Sequence, residues 1–178
     1  MNDGMTDVTD DTANDDGLTV RHATEGDVDE ISTIEAACFP PAEAASPDAL
    51  RARVAAYPEC FWLLCDDDGS IISFINGFAT DDRDLDDDMY DDPSRHDPHG
   101  AWQMIFGVDT EPGSRHRGYA SRLMHRVIDD ARAAGREGLV LTCKDRLIGF
   151  YARFGYVDEG ISGSTHGDVV WHQMRLAF

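Results

Sequence analysis

From Leu18 onward, apolar residues recur at spacings that switch between the two-residue period of strands and the three-to-four-residue period of helices. Residues 18–21 alternate as a first strand. Thr24-Glu-Gly-Asp27 then reads as a helix start ahead of Val28, Ile31, Ile34, Glu35 and Cys38, and that helix ends before Pro40-Pro41. Ser46-Pro47-Asp48 sets a capping serine before a proline at the first helical position, which predicts a second helix over Leu50, Val54 and Ala55, stopping near Tyr57-Pro58. Residues 61–65 and 71–75 predict two strands joined by a tight, acidic turn that Asp68-Gly69 suits. Residues 101–110 alternate, with Trp102, Met104, Phe106 and Val108 on one face and Gln103, Ile105, Gly107 and Asp109 on the other, as a central strand does. Leu123, Met124, Val127, Ile128 and Ala131 have helical spacing, and Gly135 closes that helix. A short buried strand over 139–143, a helix over 147–154 and strands at 156–157 and 169–175 complete a mixed α and β order built round one sheet.

Two segments depart from this periodicity. Residues 1–17 carry six aspartates and no aromatic residue, and are expected to be a disordered acidic leader before a single domain spanning 18–178. Residues 81–97 carry nine aspartates and read as a long solvated loop. Its stretch DDRDLDDDMYDD has neither the glycine at position six nor the glutamate at position twelve of a calcium-binding EF-hand loop. Cys38, Cys60, Cys65 and Cys143 show no paired spacing and read as small buried hydrophobes, so no metal site is expected.

Thirty-five acidic residues against fifteen basic ones give a formal charge of −20, and Lys144 is the only lysine. That balance disfavours nucleic acid and anionic membranes as partners. It resembles the surface composition of proteins from salt-loving organisms. No apolar run of eighteen residues occurs and the first residues are acidic, so a cytoplasmic location is expected.

The candidate chemistry lies between Val108 and Ser121. A strand running through a short polar loop into a helix presents free N–H groups and the positive end of the helix dipole, which together hold phosphate. Gly118 lets the backbone approach closely, while Arg115 and Arg117 add positive charge. A phosphate-bearing ligand fits this arrangement, and so does a plain helix start with solvent-facing arginines. The loop has neither the nucleotide P-loop pattern nor the three glycines of a dinucleotide fingerprint.

Arg115-x-x-Gly118-x-Ala120, with Pro112 ahead and a helix behind, resembles the signature of the GNAT acetyltransferases. Downstream, Phe150-Tyr-Ala-Arg-Phe-Gly-Tyr156 resembles that family's helix-to-strand segment. The two stand in the family's order, and the likeness covers most of residues 18–178. Within the superfamily, residues 97–115 are similar without a gap to the arylalkylamine (serotonin-type) N-acetyltransferases, Pro98 and Gly100 included. Phe39 and Pro47 match two residues of the amine pocket wall there.

This resemblance implies an α+β fold with a central, mostly antiparallel sheet flanked by helices, and acetyl-CoA as co-substrate at a splayed strand pair. The pantetheine arm would run along Val108, Asp109 and Thr110, and the pyrophosphate would rest on Arg115, His116, Arg117, Gly118, Tyr119, Ala120 and Ser121. Tyr151 falls on the family's general acid toward the leaving thiolate. Phe39, Pro47, Met104 and Phe106 would line the acceptor pocket. Two histidines of the arylalkylamine enzymes fall at Met104 and Phe106, neither of which takes a proton. That leaves His99, Glu111, Asp109 and His166 as candidate bases. The implied activity is acetyl transfer to a primary amine of a small molecule by a monomer or homodimer. Acetylation of a protein amino terminus or lysine, or acyl-CoA binding without catalysis, are the alternatives.

Overall fold

The computed structural model describes residues 16–178. Most of the expected leader therefore lies outside the described residues. Its last two residues are described, and Asp16 pairs with Arg122 at 2.6 Å.

Seven strands form one sheet in the order β1-β2-β3-β4-β5-β7-β6. They are β1 (Thr19–His22), β2 (Phe61–Cys65), β3 (Ile71–Thr80), β4 (Trp102–Thr110), β5 (Gly138–Cys143), β6 (Val157–Ile161) and β7 (His172–Ala177). Every neighbouring pair is antiparallel except β4 with β5. Four α-helices among the described residues accompany it: α1 (Val28–Cys38), α2 (Pro47–Ala56), α3 (Tyr119–Ala133) and α4 (Ile148–Ala152). The mixed α+β architecture is the expected one.

Local chemistry accounts for the elements. Ser46 Oγ accepts the Ala49 N–H at 3.1 Å with Pro47 in the first turn of α2, as its sequence predicts. Asp66 Oδ1 accepts the N–H groups of Asp68 and Ser70 at 3.1 and 2.9 Å and so shapes the β2–β3 turn. Along α3 the stripe Leu123, Met124, Val127, Ile128 and Ala131 is buried across β2 to β5. Each of its larger side chains contributes about 1.5–3 kcal/mol relative to exposure. Cys60, Cys65 and Cys143 are buried, Cys38 is half-buried, and all four are free. No helix among the described residues is long and apolar enough to cross a membrane.

Three expectations need correction. β3 continues past Ile75 to Thr80, with a bulge opposite β4 at Asn76-Gly77. Residues 81–97 are not simply solvated: Leu85 and Met89 are buried in the core, and short 3₁₀ turns shape the segment. Residues 169–171 belong to a loop, and the final strands are β6 and β7 as given above.

Candidate active site

The site begins with a mismatch in the sheet. Along β3 and β4, Asn76 lies opposite Gly107 and Gly77 opposite Ile105, so Phe106 is an extra, unpaired residue. Such a bulge bends its strand. β5 follows β4 only over Trp102–Ile105, paired with Gly138–Leu141. Beyond Phe106, β4 has β3 on one side and, among the described residues, no strand on the other. The two parallel strands splay, as expected, and the gap opens into a cavity of about 470 Å³ between them, α1, α2 and α4.

At the end of β4 the chain turns through Pro112–Ser114 into α3. Gly118 caps α3 with φ +80°, a left-handed conformation that suits glycine, and His116 also has a positive φ of 63°. Arg122 makes the first α3 bond, its N–H to the Gly118 carbonyl at 3.0 Å. The N–H groups of Tyr119, Ala120 and Ser121 therefore have no carbonyl in the helix to serve. Arg115 donates through Nε to the Thr110 carbonyl at 3.3 Å and so stays folded over the end of β4. These donors fit a pyrophosphate, and the uncovered edge of β4 at Val108 and Thr110 fits an extended amide-bearing chain, with the Thr110 carbonyl accepting from Arg115 and Cys38.

Tyr151 lies on α4, 6% exposed, against the cavity. Burial pushes its phenol well above the ordinary tyrosine range, and the nearby Cys143 and Asp109 add to that. It is thus a protonated donor at neutral pH. Phe39 and Phe106 line the same cavity, whereas Met104 is wholly buried in the core and Pro47 starts α2 away from the cavity wall.

The candidate bases separate cleanly. His99 is exposed in the loop before β4. Glu111 is half-buried, and the N–H of Gly113 and the Ser114 side chain hold its carboxylate below the usual range. His166 lines the cavity, stacks on Tyr90 with ring centres 5.2 Å apart, and donates through Nε2 to the Glu43 carbonyl at 2.9 Å. Asp109 is completely buried, on the side of β4 that meets Glu35.

Several cavity residues escape the sequence reading. Arg53 is buried, donates to Asn76 Oδ1 at 3.1 Å and lies 5.1 Å over the Phe106 ring. The acidic segment reaches the cavity through Asp87, Asp88, Tyr90 and Asp91. Asp87 is fastened by Ser164 Oγ at 2.5 Å and the Thr165 N–H at 2.9 Å. Away from the cavity, Glu59, Cys60 and His96 gather ligand-type atoms. Both ring nitrogens of His96 are engaged there, Nδ1 by the Ala79 N–H at 3.2 Å and Nε2 by Glu59 at 3.0 Å, while burial pushes the Cys60 thiol up to about 12. That donor set suits a structural hydrogen-bonded group better than a metal.

A family model described as the Acetyltransferase (GNAT) family matches residues 28–156, well over half of the chain. The chain belongs to this family. Glucosamine 6-phosphate N-acetyltransferase 1 of Oryza sativa subsp. japonica is 32% identical over 57 residues, which is 32% of this chain and 34% of that protein. The chain thus matches about a third of that relative's length. Among solved structures, a GNAT-like decarboxylase, GphF, in complex with isobutyryl-CoA is similar with a TM-score of 0.76 at 23% identity, over 89% of this chain and 98% of that one. A GNAT family acetyltransferase from Brucella melitensis in complex with acetyl-CoA gives 0.59 at 18% identity, over 92% and 89%. At such identities the structural likeness carries the fold alone.

The expectation of a GNAT-family acetyltransferase is borne out by the family model. A specific likeness to arylalkylamine enzymes is not shown by these relatives.

Proposed function

We propose that this GNAT protein transfers the acetyl group of acetyl-CoA to the primary amine of a small, cationic and preferably aromatic molecule. The observation that carries the reading is the cavity at the splay of β4 and β5, with Tyr151 against it. Its aromatic walls are Phe39, Tyr90, Phe106 and Trp171, and its carboxylates are Glu35, Glu43, Asp87, Asp88 and Asp91. Among the described residues lining it the one arginine is Arg53, each of whose three nitrogens already donates to Asn76 or Tyr90. Such a lining attracts an ammonium group and rejects anions, and aromatic faces favour both rings and cations.

In the reaction a neutral amine attacks the thioester carbon, forming the N–C bond as the C–S bond breaks. The N–H groups of residues 116–121, with Arg115 and Arg117, hold the pyrophosphate, and Val108, Asp109 and Thr110 align the pantetheine arm. Holding both reactants this way supplies most of the acceleration. The Tyr151 hydroxyl gives its proton to the leaving thiolate; a positioned acid of this kind is worth about 10²- to 10⁴-fold. Phe39 and Phe106 wall the acceptor. The protein acts in the cytoplasm as a single domain, as a monomer or homodimer, and without nucleic acid.

Competition between arylalkylamines, polyamines, amino acids and short peptides for limiting acetyl-CoA, with products identified by mass, tests the acceptor class. Arylalkylamine products are expected to dominate. Exclusive modification of peptide amino termini or lysines would replace this reading by the protein-acceptor one, and cofactor binding without any product would replace it by a binding module.

A further inference from the structure

On the Glu35 side of β4, four polar groups converge with too few partners. Glu35 Oε1 accepts the Ala45 N–H at 2.8 Å, but its Oε2, both carboxyl oxygens of Asp109 and the Asn76 Nδ2 are buried without a hydrogen-bond partner when both acids are drawn as carboxylates. They meet beside Gly107. A Cβ there would lie 2.9 Å from Asp109 Oδ2, 2.9 Å from Asn76 Nδ2 and 3.9 Å from Glu35 Oε2, so the space that lets them meet exists because residue 107 has no side chain. Glu35 and Gly107 line the cavity, and Asp109 stands immediately behind them.

Two buried carboxylates without a cation between them are unstable, because neither offers a donor and their charges repel. A single proton resolves both problems by giving each acid a partner. Burial raises the Asp109 carboxyl well above the usual carboxylate range, and the adjoining Glu35 carboxyl and Cys38 thiol raise it further. The shared proton is therefore placed on Asp109, whose Oδ2 reaches the same space beside Gly107 as Glu35 Oε2. The other groups packed round the pair are accounted for. Arg53 of α2 is turned to Asn76 Oδ1 and Tyr90, Cys38 of α1 donates to the Thr110 carbonyl at 3.3 Å, and Tyr151 of α4 stays protonated. Glu43, in the loop after α1, is bound to Lys144 at 2.8 Å.

We propose that Glu35 and Asp109 form a proton-sharing pair at the cavity floor, in which Glu35 accepts the proton released by the acceptor amine. This rests on the acetyl-transfer reading and supplies the base that Met104 and Phe106 lack. As the N–C bond forms, the nitrogen carries a positive charge, and one N–H proton passes to the Glu35 carboxylate. The thiolate takes its proton from Tyr151. The proton on Glu35 then returns through solvent to Tyr151, so the enzyme is restored and the products are the amide and the free thiol. Asp109 is a positioning residue: its hydroxyl orients Glu35 and fixes which oxygen faces the substrate.

The test compares wild type with Glu35→Gln, Glu35→Asp and Asp109→Asn for turnover, acetyl-CoA affinity and pH profile. Glu35→Gln is expected to lower kcat by about 10²- to 10⁴-fold with cofactor affinity retained, and to abolish the acid limb of the kcat/KM profile. Glu35→Asp should restore part of the rate and the limb. Asp109→Asn preserves a donor toward Glu35, so the fold survives even if Glu35→Gln is unstable. It should lower turnover by less than Glu35→Gln does while removing the pair's second ionisation. Infrared spectra of the free protein provide a readout independent of turnover, in which wild type shows the carbonyl stretch of a buried carboxylic acid at neutral pH and Asp109→Asn lacks it. Wild-type turnover left undiminished in Glu35→Gln, or no such band in wild type, would overturn the pair while leaving the proposed function standing. Wild type inert with every amine would instead remove the proposed function and the role of Glu35 with it.

Discussion

Arg53 grips the Tyr90 carbonyl with two donors, Nε at 3.2 Å and Nη2 at 2.8 Å, while its Nη1 reaches Asn76 Oδ1 at 3.1 Å. One buried side chain thereby ties the aspartate-rich segment to β3, next to the carboxyl pair. Hydrogen bonds to a charged group contribute about 1.5–3 kcal/mol each, so Arg53→Ala should destabilise the fold by roughly 2–3 kcal/mol in urea unfolding. The acidic wall would loosen as well, and KM for the amine should rise more than the dissociation constant of acetyl-CoA.

Tyr151→Phe removes one oxygen from a buried ring and leaves the packing in place. If the phenol is the acid for the thiolate, kcat should fall by about 10²- to 10⁴-fold with acetyl-CoA affinity nearly unchanged. Steady-state kinetics beside calorimetry separates the two. Equal turnover would remove the assignment.

Gly118→Ala tests the phosphate loop. A Cβ at Gly118 meets nothing within 4 Å, so the cost comes from φ +80° alone, about 1–2 kcal/mol for a residue other than glycine. The thermal midpoint should drop accordingly. Acetyl-CoA affinity should also fall as the loop relaxes from the geometry that aims its N–H groups together.

Asp109 gives stability a pH signature. Its folded-state pKa is raised, so the folded protein binds a proton that the unfolded chain gives up above about pH 4. Its contribution is therefore complete below that pH and is lost as pH climbs toward the folded-state value. Asp86 and Glu159 act in the opposite sense, since Arg95 and Arg175 hold them below the usual range and their contribution is lost on acidification. Asp109→Asn keeps those ion pairs. Its stability relative to wild type should rise steadily from pH 4 toward neutrality, measured by urea unfolding.

The charge of −20 predicts salt dependence. Screening shortens from about 10 Å at 0.1 M to about 3 Å at 1 M, so self-repulsion should fade and the thermal midpoint should climb in molar KCl. A flat response would contradict the halophile-like reading of the surface.

The helices and the order of strands are legible in the sequence because each carries its own signal. Ser46-Pro47 caps α2, and the stripe from Leu123 to Ala131 marks α3. The turn into α3 is legible for the same reason, since Gly118 and the helix after it are local. What is hidden depends on contacts between distant residues. The bulge at Phe106 is a mismatch of register between β3 and β4, so it exists only once the two strands pair. Leu85 and Met89 are two apolar residues among aspartates, too sparse to announce that the segment folds back over the cavity. Glu35 sits at an apolar-stripe position of α1, which marks it as inward-facing, yet its partner Asp109 is 74 residues away and only the fold joins them.

The most direct test of acetyl transfer is free-thiol release from acetyl-CoA in molar salt on addition of a single arylalkylamine, read against the same mixture without acceptor. Release that saturates with the amine, matched mole for mole by acetylated amine, is the predicted result. No release above background, with acetyl-CoA demonstrably bound, would contradict the account.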